Sequence, residues 1–291
     1  MIPFVRDIDP AYGRPVQASP LIRRVTADNP GPFTFLGTGT YIVGQGEVAV
    51  IDPGPDMPDH LNALLAATMG EQITAILTTH THADHSPLAR PLAERTGAVI
   101  YGRADPAIGS AEEASEADYR PDVEIADGQR VTGPGWTLEA VATPGHASNH
   151  VCYALLEENA LFSGDHVMGW STTIVSPPDG DMTHYYASLD RVAARGFATL
   201  WPTHGPPITD PAPFLAAYRA HRLERERQIM EQLAQGRSTI AEMVPVLYAA
   251  VDPRLHPAAA RSVLAHLIHL TRTGAVRAEG EVGPQSRYSR T

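Results

Sequence analysis

Short apolar runs broken by Gly- and Pro-rich turns fill the first two thirds of the chain. FTFLGTGTYIV (33–43) and EVAVIDPG (47–54) read as two strands of a hairpin joined by the turn GQG. PDHLNALLAATM (58–69) has helical character with Pro58 near its start. QITAILTT (72–79) is short, continuous and β-branched, as a buried strand is. SPLARPLAERT (86–96) predicts a helix capped by Ser86, with Pro87 in its first turn. AVIYG (98–102) is a further strand, and the acidic, Ala-rich stretch 103–127 predicts an exposed loop or weak helix. Strands follow at 137–145, 150–158 and 160–165, then a Gly/Pro/Ser/Thr segment (166–183), a helix (184–195) and a last strand and turn (199–205). Strands alternate with helices and many form antiparallel hairpins, which predicts an α/β fold, a sandwich of sheets covered by helices.

Residues 211–291 change character. A long helix follows the Pro-rich TDPAP, then a short helix capped by Ser238, a helix ending at Gly274 and a two-stranded wing (275–290). That is the order of a winged helix. The expected division is 1–210 and 211–291.

The chain has 291 residues, 43% hydrophobic and 19% charged, enough for one large globular unit and a small one. Its net charge of −11 is uneven: 211–291 holds eleven arginines against seven acids, while 1–210 holds eleven against 26. An acidic body does not favour a long polyanion, which would need clustered cations. No lysine occurs, so a lysine nucleophile, Schiff base or P-loop is excluded. The single Cys152 excludes a disulfide framework and a cysteine-rich zinc site; inside an apolar strand it reads as a buried small residue. Charged residues at 6, 7 and 9 interrupt any signal peptide, and no run approaches the roughly 18 apolar residues of a membrane span. The expectation is a cytoplasmic protein without membrane association.

TTHTHADH (78–85) then stands out at the end of a strand. His80 and His82 sit two apart and can grip one ion; Asp84 and His85 follow across the turn and can grip another. His146, Asp165 and His204 also follow strands, each beside a glycine. Loops at one edge of a rigid sheet are where sites are built.

These residues resemble the metallo-β-lactamase fold superfamily: His80, His82, Asp84 and His85 match its H-x-H-x-D-H motif, and His146, Asp165 and His204 match later motifs in order. The resemblance spans about residues 30–210 and implies an αββα sandwich. It also implies a first metal on His80, His82 and His146 and a second on Asp84, His85 and His204, with Asp165 bridging. Asp52 in IDPG would support the ligands from behind. With the winged helix, the chain is similar to the lactamase-like-protein-2 branch, whose eukaryotic members are endoribonucleases. TPGHASNH and FSGD also occur in the glyoxalase II group, whose glutathione-binding region is not recognisable here.

The implied cofactor is zinc, two ions per chain, with iron or manganese as alternatives. The implied chemistry is a bridging hydroxide attacking a small thioester, ester or related carbonyl substrate, with Asp84 and Asp165 as catalytic carboxylates. A single-strand endoribonuclease is the alternative, with RNA as partner, and β-lactamase activity is third; an iron-dependent oxidoreductase on the same fold is a reading from another class. The winged helix is a candidate for homodimerisation, RNA binding or shaping the cleft. His150 is expected behind the ligands. His166, Trp170, His184 and Tyr185 are candidate pocket residues, with packing the plainer alternative for Tyr185. His60, His221, His256, His266 and His269 read as surface or packing residues, and RAHRLERER (219–227) as a solvated helix face.

Overall fold

The computed structural model describes residues 2–104 and 119–291. In chain order the first sheet contributes β1 (Val16–Gln17), β2 (Ile22–Thr26), β3 (Gly39–Gln45), β4 (Glu47–Ile51), β5 (Gln72–Leu77), β6 (Val99–Gly102) and β7 (Val123–Glu124), with helices α1 (Pro58–Ala67) and α2 (Ala89–Thr96) between them. Its spatial order is the chain order, antiparallel up to β4 and parallel from β4 to β7. The second sheet takes β8 (Arg130–Gly133), β9 (Trp136–Ala142), β10 (Val151–Leu155), β11 (Ala160–Gly164) and β12 (Thr199–Pro202), in the order β12-β11-β10-β9-β8. Helix α3 (Met182–Arg195) connects β11 to its parallel neighbour β12.

Period-two alternation sends successive residues to opposite faces. Tyr41 and Val43 of β3 enter the core between the sheets, opposite Tyr153 and Phe162, whereas Ile42 packs on the outer face with Leu64 of α1 and Leu92 of α2. On the other side Cys152, Ala154 and Leu161 pack beneath Tyr185, Leu189 and Val192 of α3. Each fully buried side chain of this kind contributes roughly 1.5–3 kcal/mol. The layers are helix, sheet, sheet, helix, as expected.

Helix α4 (Pro211–Ala234) joins two cores. Phe214, Leu215 and Tyr218 belong to the core under α3, while Ile229 packs with α5 (Ile240–Leu247), α6 (His256–Arg272) and the wing strands β13 (Val276–Ala278) and β14 (Tyr288–Arg290). The C-terminal winged helix is seated on the body by part-buried polar contacts. Glu226 accepts from Tyr186 Oη at 2.9 Å and lies 3.3 Å from His266 Nδ1, while His269 Nδ1 meets Thr183 Oγ1 at 2.9 Å. No helix among the described residues is long and apolar enough to cross a membrane.

Several local expectations are corrected. Strands β1 and β2 were not anticipated, and the strand expected from 33 starts at Gly39 because 31–35 closes a tight turn. Helix α2 starts at Ala89 rather than at Ser86, since residues 85–88 are tied to Gly54 and His82 by backbone hydrogen bonds. Residues 105–118 of the expected loop lie outside the described residues; beyond them, Tyr119 and Ile125 are buried rather than exposed. Arg222 is likewise buried, its guanidinium 5.2 Å from the Tyr185 ring, although Arg227 does pair with Glu224 and Glu231 as a solvated face should.

Thr239, not Ser238, caps α5: its side chain accepts from Glu242 N while the Glu242 carboxylate returns to Thr239 N. Thr239→Ala is expected to destabilise the C-terminal winged helix by about 1 kcal/mol. Urea unfolding should show the earlier transition with metal content retained; an unmoved transition would contradict the assignment.

Candidate metal centre

The parallel runs β4–β5 and β11–β12 bring four strand ends to one edge of the sandwich, and backbone bonds stitch the sheets together there. Val151 N donates to Thr79 O at 2.8 Å, and Gly39 N donates to Thr203 O at 2.8 Å. All seven expected donors arrive at this seam. His80, His82 and His146 form one group of ligand atoms, His80, His85 and Asp165 a second, and Asp84, His85 and His204 a third, each within 4.8 Å.

Nitrogens converge in the first group: His82 Nδ1 lies 2.8 Å from His80 Nε2 and 3.1 Å from His146 Nε2. Ligand atoms on one tetrahedral zinc stand about 3.3 Å apart. Asp165 stands between the groups. Its Oδ2 lies 3.9 Å from His146 Nε2, and its Oδ1 lies 3.5 Å from His204 Nε2 and 3.7 Å from His85 Nε2. Asp84 Oδ2 approaches His204 Nε2 at 3.1 Å. Its side chain remains 26% exposed, so the site opens to solvent on that side.

The donor set fits divalent cations. His85 Nε2, His204 Nε2 and Asp165 Oδ1 are buried with no hydrogen-bond partner, although buried polar atoms are normally satisfied. The opposite ring nitrogens of four of the histidines are engaged. His85 Nδ1 donates to Asp52 Oδ2 (2.9 Å), His146 Nδ1 to Ile174 O (2.7 Å), His204 Nδ1 to Gly37 O (3.2 Å) and His80 Nδ1 to Thr79 Oγ1 (3.0 Å). Each proton is therefore placed on the outer nitrogen, leaving an inward lone pair for a cation.

Electrostatics separates the two halves. Burial, together with the neighbouring His85 and His82, holds His80 well below the usual histidine range; burial and His146 push His82 down to about 3. Burial opposes charge on His85 too, but Asp84, Asp52 and Asp165 outweigh it and raise that ring. His204 is raised against burial by Asp165 and Asp84. Burial would raise the Asp84 and Asp165 carboxyls, but the surrounding histidines dominate and hold both low. The second half is thus a field of negative charge, which is where a cation is most favoured.

Asp52 lies directly behind His85. Fully buried and at φ 49°, it accepts from Thr79 N (2.7 Å), Thr79 Oγ1 (2.8 Å), Thr203 Oγ1 (2.8 Å) and His85 Nδ1 (2.9 Å). His150 uses both nitrogens inside the protein: Nε2 accepts from Asp165 N (3.2 Å) and Nδ1 faces Thr143 Oγ1 (2.8 Å). Two glycines are required here. A Cβ at Gly164 (φ 53°) would stand 2.6 Å from His150 Nε2, and one at Gly145 (φ 148°) 2.5 Å from Tyr185 Cα. Cys152 is buried, and burial pushes its thiol up to about 12, far from a nucleophile's range.

The expected pocket residues divide. Trp170 stacks on Phe35 at 4.8 Å and borders Gly205, beside His204. His166 and Tyr185 are fully buried, so the expectation that they line the cleft is corrected: Tyr185 Oη donates to His166 O and packs in the core. His184 is exposed on the first turn of α3. Sequence reasoning missed Thr79, Thr203 and the Gly37 and Ile174 carbonyls. It also took His60 for packing, whereas His60 Nε2 contacts Thr40 Oγ1 (2.8 Å), which donates to Asp52 O.

The sequence pattern of the metallo-beta-lactamase superfamily matches residues 34–204, and that of the beta-lactamase associated winged helix domain matches 239–284. An Aspergillus chevalieri protein named atrochrysone carboxyl ACP thioesterase is 38% identical over 223 residues, covering 75% of this chain and 68% of the relative. The beta-lactamase-like protein 2 homolog of Caenorhabditis elegans is 33% identical over 221 residues, covering 75% and 72%. Among solved structures, a metallo-beta-lactamase family protein from Thermus thermophilus superposes with a TM-score of 0.77 at 25% identity, covering 94% of this chain and 100% of that one.

Removing the acceptor that orients His85 should be felt at the metal. Asp52→Asn is expected to lower divalent-metal affinity roughly ten- to a hundredfold, read by competition with a chelating dye. Wild-type affinity in a folded variant would show that Asp52 does not position the ligands.

Proposed function

This chain belongs to the metallo-beta-lactamase superfamily as a metal-dependent hydrolase, and on that premise we propose that it hydrolyses acyl thioesters with two zinc ions. The observation that carries the proposal is the arrangement of seven donors as two triads sharing Asp165. The thioester follows from the thioesterase names borne by relatives of 38% and 31% identity. Zinc is proposed because five imidazoles and two carboxylates suit it; iron or manganese would appear in metal analysis of the purified protein.

His80, His82 and His146 would hold one ion, Asp84, His85 and His204 the other, and Asp165 both. When bound, the ions supply Lewis acidity at the acyl carbonyl and make water acidic enough to attack near neutral pH. In the reaction the water oxygen bonds to the carbonyl carbon and the C–S bond breaks. The products are a carboxylate, a thiol and a proton. Asp165, with an oxygen toward each triad, would orient the attacking water. Asp84, at the open side, would accept its proton and pass one to the departing thiolate. The Asp52, Gly37 and Ile174 acceptors keep the imidazole protons outward throughout. Trp170 and Phe35 stack beside His204 and would wall that side of the site.

Neither RNA cleavage nor homodimerisation draws support from this site or from the relatives. A cytoplasmic location stays part of the proposal.

Asp84→Asn and Asp165→Asn are each expected to lower kcat on acetyl-N-acetylcysteamine by about a hundredfold or more, followed by thiol release. Chelation should abolish turnover and zinc restore it, while labelled single-stranded RNA stays intact. Metal-replete wild type that releases no thiol would overturn the thioesterase reading.

A further inference from the structure

The segment after Asp165 has two working sides. Toward the metal centre it is bonded to the turn that carries His146: Ile174 O accepts from His146 Nδ1, Asp179 Oδ2 accepts from Ser148 N at 3.0 Å, and Asp181 N donates to Gly145 O at 2.8 Å. On its other side Pro177, Pro178 and Met182 form one wall of a cavity of about 660 Å³. The opposite wall is one face of α6, with Leu264, Ala265 and Ile268 at helical spacing, closed by the wing at Val282.

A second cavity of about 570 Å³ continues from the first, sharing Leu264, Arg261 and Pro284, and runs to Ile240 and Val244 of α5. Together they make one trough that starts behind the His146 turn and ends inside the winged helix. Its walls are mostly aliphatic and proline-rich, with Arg261, Arg272 and His256 as the basic groups of the lining. The one acidic group of its lining, Asp181, is neutralised by Arg272. Both volumes lie in the range of small-molecule sites, which favour the junction of two structural units. Val282, 39% exposed at the rim, leaves apolar surface that an apolar ligand would cover.

We propose that this trough holds the apolar acyl chain of the substrate, so that the winged helix selects chain length. The inference rests on the thioesterase reading. A nucleic acid would need aromatic groups to stack on along its path, and no Phe, Tyr or Trp lines the trough; a protein partner is more often met by a flat face than by a concave trough. The chain would lie against the segment 177–182, whose other side is bonded to the turn that carries His146.

The test separates binding from turnover. S-dodecyl-N-acetylcysteamine, a thioether that cannot be hydrolysed, is titrated calorimetrically into the zinc-loaded full chain. Ile268→Glu and Val282→Glu run beside it, the second on the exposed wing, with circular dichroism and the urea transition of the winged helix confirming the fold. The probe should bind wild type and weaken at least tenfold in both variants. The ratio of kcat/KM for dodecanoyl over acetyl thioesters should fall at least tenfold as well. Thioester turnover with no probe binding, or with a chain-length ratio unmoved by both variants, overturns the trough and spares the thioesterase reading. Trough-dependent probe binding without turnover of any thioester does the reverse. Loss of a dimer in the variants, with no probe bound by wild type, assigns the trough to a second copy and overturns the proposal.

Discussion

A buried carboxylate costs several kcal/mol unless its lone pairs are filled, and Asp52 meets that condition only because two sheets meet around it. Thr79 comes from the end of β5, Thr203 from the end of β12, and His85 from the turn between β5 and α2. A slip of β4 against β5 would break the Thr79 and His85 bonds, and a slip of β12 the Thr203 bond. The αL backbone of Asp52, a conformation that costs of order 1–3 kcal/mol for a non-Gly residue, persists because these contacts over-determine it. The proton on His85 Nδ1 and the aim of its other nitrogen depend on this one side chain.

From that constraint the electrostatics of the site follows. Three carboxylates, Asp52, Asp84 and Asp165, surround His85 and raise it despite its burial. The same field that raises His85 favours a dication beside its inward nitrogen, and metal binding there needs the neutral ring. On the His146 side burial keeps His80 and His82 neutral, as nitrogen ligands need to be. Asp165 belongs to both halves, and its position rests on His150, which holds the Asp165 backbone N–H, and on the close approach that Gly164 permits.

The sequence made the donors legible because binding a metal needs rare residue types at strand ends, and His80 to His85 stand together after an apolar run. Sandwich and winged helix were legible from periodicity. What escaped had no residue-type signature. The Gly37 and Ile174 carbonyls act through the backbone. Arg23 and Arg24 disguised β2; Arg24 Nη1 instead reaches Gly205 O at 2.9 Å, beside His204. Ser86 and Pro87 have the chemistry of a helix start, yet the turn that presents His85 uses them. His166 sits one residue beyond a ligand in sequence but turns into the core, a difference set by tertiary packing.

The C-terminal winged helix enters this account through the far side of the His146 turn, so metal centre and trough share one wall. Everything upstream rests on the seven donors forming two cation sites joined by Asp165. The most direct measurement is the stoichiometry of zinc binding to metal-free protein, by titration against a competing chelator. The account predicts two ions per chain for wild type, and weakened binding of both when Asp165 is replaced by Asn. Saturation at one ion, or an Asp165→Asn variant that binds two as tightly as wild type, would contradict it.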